Sequence, residues 1–328
     1  MKPSFYNVLG PYTFRYVANL LDAELFSKTD LSEHKIKSFN GLDNCSSNDI
    51  TFLNDNINIK DTNMIAKGYL VSKKNNSGII NGKVLVKVND LHSSIAKLSN
   101  IFCTDFTENE KNNIKKPKIY KPVNYISKKS LIKNGCIIGK NVTINDGSIL
   151  YENCIIGNNV NIGSNTVIRN SIIGDNVMIG SNTSIGQPGF GFAFNKDQNI
   201  QIFHMGRAII QNNSFIGCNC SIDRGSFSDT VIGENVYLDN QIHIAHNVHV
   251  GSNTMIAAQS GIAGSVKIGN FCRIGGQVGI ANHIKIGDNV EIAAKSAVRN
   301  NIEANKKIMG DPAINMFTYL KNYKKYFR

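Results

Sequence analysis

Ile, Leu or Val recurs at every sixth position from Ile232 through Leu238, Ile244, Val250, Ile256, Ile262, Ile268, Ile274, Ile280, Ile286 and Ile292 to Val298. An amphipathic helix would repeat its apolar stripe about every 3.6 residues, and a half-buried strand about every two. A sustained period of six instead marks stacked hexapeptide repeats, the signature of a parallel β-helix. The fifth position of each hexad is small or β-branched, as at Val236, Thr254, Ser260, Val266, Cys272, Val278, Val290 and Ser296. Two inward positions per hexad then fill a narrow prism, and each coil hydrogen-bonds to the next at about the 4.8 Å strand spacing. The second position is often glycine, at Gly233, Gly251, Gly269, Gly275 and Gly287, where a residue without Cβ suits a tight corner.

The frame extends upstream through Ile132, Ile138, Ile144, Leu150, Ile156, Ile162 and Ile168, then shifts by a five-residue step to Ile173, Ile179 and Ile185. Residues 186–209 interrupt it with Gly189-Phe190-Gly191-Phe192-Ala193-Phe194, before Ile210, Ile216 and Ile222 resume. If that stretch is extended, Phe190, Phe192 and Phe194 share one side. A shorter insertion over 226–231 separates Ile222 from Ile232. Loops that leave a rigid solenoid are where recognition usually sits.

Residues 1–114 lack the hexad and predict a small α/β domain, with helices over Thr13 to Leu25 and near Leu91 to Phe102 and short apolar runs at Tyr69 to Val71 and Val84 to Val88. Residues 115–129, with Pro117 and Pro122 among lysines, predict a linker, and 130–305 the β-helix. Over 306–328, Met316, Leu320, Tyr323 and Phe327 recur at helical spacing between lysines, which predicts a C-terminal amphipathic helix. No apolar run is long enough to span a bilayer and no signal-peptide pattern opens the chain, so a cytoplasmic protein with at most peripheral membrane contact is expected.

Four of the seven cysteines, Cys136, Cys154, Cys220 and Cys272, occupy the fifth hexad position and read as small apolar fillers. The net charge of +12 comes without an arginine-rich cluster or a nucleic-acid motif, so an acidic protein partner fits better than nucleic acid. His243, His246 and His249 have the spacing of a metal site, but the hexad frame puts His243 and His249 on successive faces of the prism, and no metal is expected.

Three hexads per turn give 18 residues per coil. That period places Gly264 directly beside His246, and Asn282, adjacent to His283, beside Gly264. A glycine there exposes a backbone N–H about one strand spacing, ~4.8 Å, from an imidazole. A general base and a carbonyl-oxygen donor at that separation suit acyl transfer.

The segment Leu238-Asp239-Asn240-Gln241-Ile242-His243-Ile244-Ala245-His246-Asn247-Val248, followed by Gly261-Ile262-Ala263-Gly264-Ser265 and Ile274-Gly275-Gly276, resembles the UDP-3-O-acylglucosamine N-acyltransferases of lipid A biosynthesis. So do Ile222-Asp223-Arg224-Gly225 and the Gly189-Phe190-Gly191-Phe192 loop. The resemblance implies a left-handed parallel β-helix, a uridine-binding N-terminal domain and a homotrimer. It implies transfer of a 3-hydroxyacyl group from acyl carrier protein to the 2-amino group of a UDP-3-O-acylglucosamine. The phosphopantetheine of the carrier protein brings the acyl group, and no further cofactor is implied. An acidic carrier protein accounts for the basic balance.

By the same resemblance His246 is the general base, Asp239 orients it and the Gly264 N–H holds the oxyanion, while His283, Asn282 and Asn240 contact substrate. For the uracil the family has a stretch like F-L-x-N-P-x-Y. Here Phe52 is kept, but Asp55 and Asn58 stand at the Asn and Tyr positions, so Asn54 or Asn56 is expected to supply the hydrogen bonds. Rival readings are a related sugar-nucleotide O-acyltransferase, an acetyl-CoA-dependent acetyltransferase on the same solenoid, and a non-enzymatic β-helix binding protein.

Overall fold

A computed structural model describes residues 5–310 and 316–326, apart from 56, 58–64, 76, 79 and 195–197. Its larger part is a solenoid of two- to four-residue strands collected into three parallel sheets of nine, ten and nine strands. The first sheet runs from Lys118–Ile119 to Lys285–Ile286, the second from Tyr125–Ile126 to Lys307–Ile308 and the third from Leu131–Ile132 to Ala297–Val298. The hexad positions point inward as the period requires: Ile222, Ile232, Leu238, Ile244 and Ile262 are fully buried in one continuous core. Cys136, Cys154, Cys220 and Cys272 lie in the same core, where burial pushes their thiols up.

The corners work differently from the sequence expectation. Gly251 and Gly269 do not take a left-handed backbone; a Cβ on Gly251 would lie 2.4 Å from the carbonyl carbon of Gly269 in the next coil. Close approach of stacked backbones, rather than a strained turn, selects glycine at the second position. The left-handed residue is the fourth of the hexad, as at Asn235 (φ 55°), Asn247 (φ 61°) and Asn253 (φ 59°). Asparagine tolerates that conformation better than most residues. Its side chains also ladder between coils, with Asn235 Nδ2 donating to Asn253 Oδ1 at 2.7 Å. The richness in asparagine is therefore largely architectural.

Two boundaries move. Lys118–Ile119 pairs with Ile137–Ile138 and Tyr125–Ile126 with Thr143–Ile144, so the expected 115–129 linker is the first coil. Strands only two residues long let Pro117 and Pro122 fall beside them without costing a ladder bond. At the other end Lys307–Ile308 still pairs with Glu291–Ile292, and the terminal helix occupies Met316–Tyr326 rather than starting at 306.

The N-terminal residues form a five-stranded sheet ordered Glu24–Phe26, Val84–Val88, Gly68–Ser72, Asp49–Phe52 and Ser38–Phe39. The Thr13 side chain caps helix Phe14–Leu21, which stops earlier than expected because Asp22 turns left-handed (φ 50°) and sends Leu25 into the sheet. Asp90 caps the second helix, Leu91–Phe102, through Ser93 N. Thr107 and Glu110 form a capping box on a further helix, Glu108–Asn113.

The two insertions tie this unit to the solenoid. Phe192–Phe194 and Asn199–Gln201 make an antiparallel hairpin, with Ala193 and Ile202 packed on Ala96 of the second helix. Asn100 Nδ2 donates to Gln201 O at 2.6 Å, and Ser99 Oγ accepts from Phe203 N at 2.9 Å. From the shorter insertion Phe227 enters the N-terminal unit edge-on to Phe52 and Phe39, with ring centroids 4.8 and 5.4 Å apart. Among the described residues no helix is long and apolar enough to cross a membrane.

Candidate active site

A cavity of about 690 Å³ opens where the hairpin, the Phe227 insertion and the third sheet meet. His243, at the outward position of strand His243–Ile244, and His246, at the following corner, line it together with Gly264, Asn282 and His283. Phe52 and Asn54 reach it from the N-terminal unit, and Phe190 and Phe192 from the hairpin. The 18-residue spacing holds locally, since His243 pairs with Gly261 and Gly261 with Gly279 on successive strands. His249 stands on a strand of the first sheet, beside Lys267, and is not among the residues lining this cavity. Asn56 and Asn58 lie outside the described residues.

The tautomer of His246 follows from its neighbour. Asn247 Oδ1 accepts from Ser226 N at 3.1 Å and Ser226 Oγ at 2.7 Å, while its Nδ2 donates to Ser228 O at 3.1 Å. An amide nitrogen on one side and a carbonyl oxygen on the other fix which way the carboxamide faces. Oδ1 also meets His246 Nδ1 at 2.8 Å, so Nδ1 carries the proton and Nε2 presents its lone pair. The left-handed turn at Asn247 is what folds its side chain back beside the preceding histidine.

Asp239 does not do this. Its carboxylate accepts from Asn240 N at 2.8 Å and Ala258 N at 3.2 Å, and it borders a different depression, of about 700 Å³, along the second sheet with Tyr237 and Met255. Seven residues along the chain carry it one full corner of the prism away from His246. Asn240 is likewise committed elsewhere, capping Cys218 N through Oδ1 at 2.7 Å. Asp55 is held by the hydroxyl of Ser72.

Gly264 leaves room for the His246 imidazole. A Cβ there would come within 2.8 Å of His246 Nε2 and Cε1. At another corner of the solenoid the equivalent N–H groups are capped from the next coil, as when Asp288 Oδ1 accepts from Asn270 N at 2.6 Å. The coil after His246 offers Gly264, which has no side chain to do so. Among the described residues neither the His246 N–H nor the Gly264 N–H meets an acceptor.

The repeats belong to a known pattern. The bacterial transferase hexapeptide family (six repeats) matches residues 229–264 and 265–300, and the GMPPB C-terminal domain family matches 114–192. A UDP-3-O-acylglucosamine N-acyltransferase of Rhizobium rhizogenes is 53% identical over 66 residues, 20% of this chain and 19% of that protein. One from Caulobacter vibrioides is 39% identical over 89 residues, 27% of this chain and 26% of its own length. Over these segments the chain is similar to UDP-3-O-acylglucosamine N-acyltransferases. It spans about a quarter of the length of the curated relatives it matches. A solved UDP-N-acetylglucosamine acyltransferase from Campylobacter jejuni shares the fold, with a TM-score of 0.52 at 24% identity over 63% of this chain and 79% of that one.

Besides Asn247, two residues beside His246 escaped sequence reasoning. His204 is buried, 5.5 Å from His246 between ring centroids, and donates from Nδ1 to Ile202 O at 2.9 Å. Burial pulls its pKa down to about 4. Asp223 is buried too, with Oδ1 accepting from Gln187 Nε2 at 3.0 Å and Oδ2 lying 3.8 Å from His243 Nε2. Burial pushes this carboxyl up, opposed by His243, then by the hydrogen bond from Gln187 and then by His246. The insertions at 186–209 and 226–231 break the 18-residue arithmetic that would have aligned either residue with His246.

Proposed function

We propose that the protein is an acyltransferase of lipid A biosynthesis that moves a 3-hydroxyacyl group from acyl carrier protein to the 2-amino group of a UDP-3-O-acylglucosamine. The observation that carries this reading is the meeting of His246, Gly264 and the Phe52–Asn54 edge of the N-terminal unit in one cavity. His246 Nε2 takes a proton from the amine as it attacks the thioester carbonyl, then returns it to the departing thiolate. Charge building on the carbonyl oxygen is met by the Gly264 N–H, an oriented donor that needs no reorganisation. Asn247 keeps Nδ1–H in place and stabilises the imidazolium as it forms.

Phe52 and Asn54 serve the uracil, and Asn282 and His283 serve the sugar phosphate. The donor enters on its phosphopantetheine arm, with no other cofactor, and an acidic carrier protein suits a chain of net charge +12. The working unit is a homotrimer in the cytoplasm. Incubating the purified protein with 3-hydroxyacyl carrier protein and UDP-3-O-acylglucosamine tests the reading. Mass spectrometry is expected to find one added acyl group in hydroxylamine-resistant amide linkage, and an ester product or none would overturn it.

A further inference from the structure

An amine acceptor raises a difficulty that a hydroxyl acceptor does not. At neutral pH it arrives as an ammonium, which has no lone pair, and it must lose one proton before attack and a second during it. His246 Nε2 has room for one.

We propose that His243, backed by Asp223, is a second proton acceptor in the cavity and takes the first of these protons. The proposal rests on the acyltransfer reading above. His243 lines the same cavity as His246, three residues upstream, and is half exposed at its mouth. Its Nε2 turns toward Asp223 Oδ2 at 3.8 Å, which leaves Nδ1 as the atom able to accept. Asp223 is held from the other side by Gln187 Nε2, itself bonded to Ser221 Oγ at 2.7 Å. Gly189 packs against this carboxylate and the base together, since a Cβ on it would lie 3.1 Å from Asp223 Oδ2 and 2.9 Å from His246 Cβ.

A buried carboxylate with a histidine on its open side stabilises an imidazolium and attracts a cation. The other groups facing the pair are histidines: His246 at the corner, His204 behind Gly191, and His92 and His283 on the cavity wall. Arg224 follows Asp223 in the chain, but its Nε donates to Gly206 O at 2.6 Å and its guanidinium faces Tyr6. No lysine or arginine lines the cavity among the described residues.

The steps balance. One N–H proton of the ammonium passes to His243 Nδ1, whose positive charge faces Asp223. The neutral amine attacks the thioester carbon, the C–N bond forms and a second N–H proton passes to His246 Nε2. The C–S bond then breaks and the thiolate recovers that proton. His243, being half exposed, releases its own proton to solvent.

The test is the pH profile of kcat/KM for the acceptor in the wild type, His243→Gln and Asp223→Asn. An amine beside electron-withdrawing oxygens titrates near an α-amino group, about 7.7–8.0, so at pH 7 only about one molecule in ten is neutral. His243→Gln, confined to the neutral form, is expected to be about tenfold slower than wild type at pH 7 and equal to it above about pH 9. Asp223→Asn is expected to show a smaller defect in the same direction. A His243→Gln loss of equal size at both pH values, or no loss at either, overturns the proposal while leaving the role of His246 intact. A wild type that makes no N-acylated product, or His246→Ala turning over as fast as wild type, overturns the acyltransfer reading and this proposal with it.

Discussion

Replacing Asn247 with glycine isolates what fixes the His246 imidazole. Glycine accepts the left-handed φ of 61° without strain, so the corner is kept while the carboxamide is removed. His246 Nδ1 then loses its 2.8 Å partner, and Nε2 no longer carries the lone pair by default. With His246 neutral, that bond is neutral too and worth about 1 kcal/mol. When His246 becomes an imidazolium it becomes charge-assisted and worth about 1.5–3 kcal/mol.

The difference, about 1–2 kcal/mol, is the part felt by the transition state and corresponds to roughly tenfold in kcat, with loss of orientation adding to it. KM for the acceptor is expected to change little. Stability also falls, since Ser226 N and Ser228 O lose partners, by about 2 kcal/mol in all. Steady-state kinetics beside thermal unfolding separates the two effects. Ser228→Ala is the control, because it loosens the same loop but leaves the Asn247–His246 bond. An unchanged kcat in Asn247→Gly, or an equal fall in Ser228→Ala, would refute the reasoning.

Gly264→Ala places a methyl 2.8 Å from His246 Nε2 and Cε1, where contact is ordinarily made at about 3.4 Å or more, so the imidazole is displaced by several tenths of an ångström. A fall in kcat of about ten- to a hundredfold is expected, with the melting temperature nearly unchanged, and full activity would show that this glycine has another purpose. His204 has its pKa drawn down from 6.5 to about 4. A depressed folded-state value contributes stability that is present above the unfolded pKa and lost as pH falls through the folded one. Between pH 6.5 and 4 this loss is expected to reach about 3 kcal/mol. Denaturant unfolding of His204→Gln across that window checks it, since the variant's stability should fall less steeply than that of the wild type.

The solenoid was legible because a six-residue period admits few folds: Ile244 and Ile262 are core positions for geometric reasons that hold at every coil. Gly264 followed from the same regularity, an 18-residue turn carrying the argument from His246 to its neighbour. The frame also held a warning about Asp239, which is a second-position residue of one corner while His246 is a third-position residue of the next. The nearer partner of His246, Asn247, is not legible in the sequence, because adjacent residues seldom face one another. Pro117 and Pro122 disguised the first coil, since a proline says little against strands only two residues long. Asp223, His204 and Phe227 flank or occupy insertions, where spacing ceases to be a coordinate and only tertiary contact brings residues together.

The central claim is that His246 is the base for acyl transfer to an amino sugar nucleotide. Initial rates of N-acylated product formed from 3-hydroxyacyl carrier protein, wild type against His246→Ala, test it most directly, with circular dichroism verifying that the variant is folded. We expect a loss of at least about a hundredfold at every pH from 6 to 9, in keeping with removal of a general base. Turnover of the folded variant within a few-fold of wild type would contradict it.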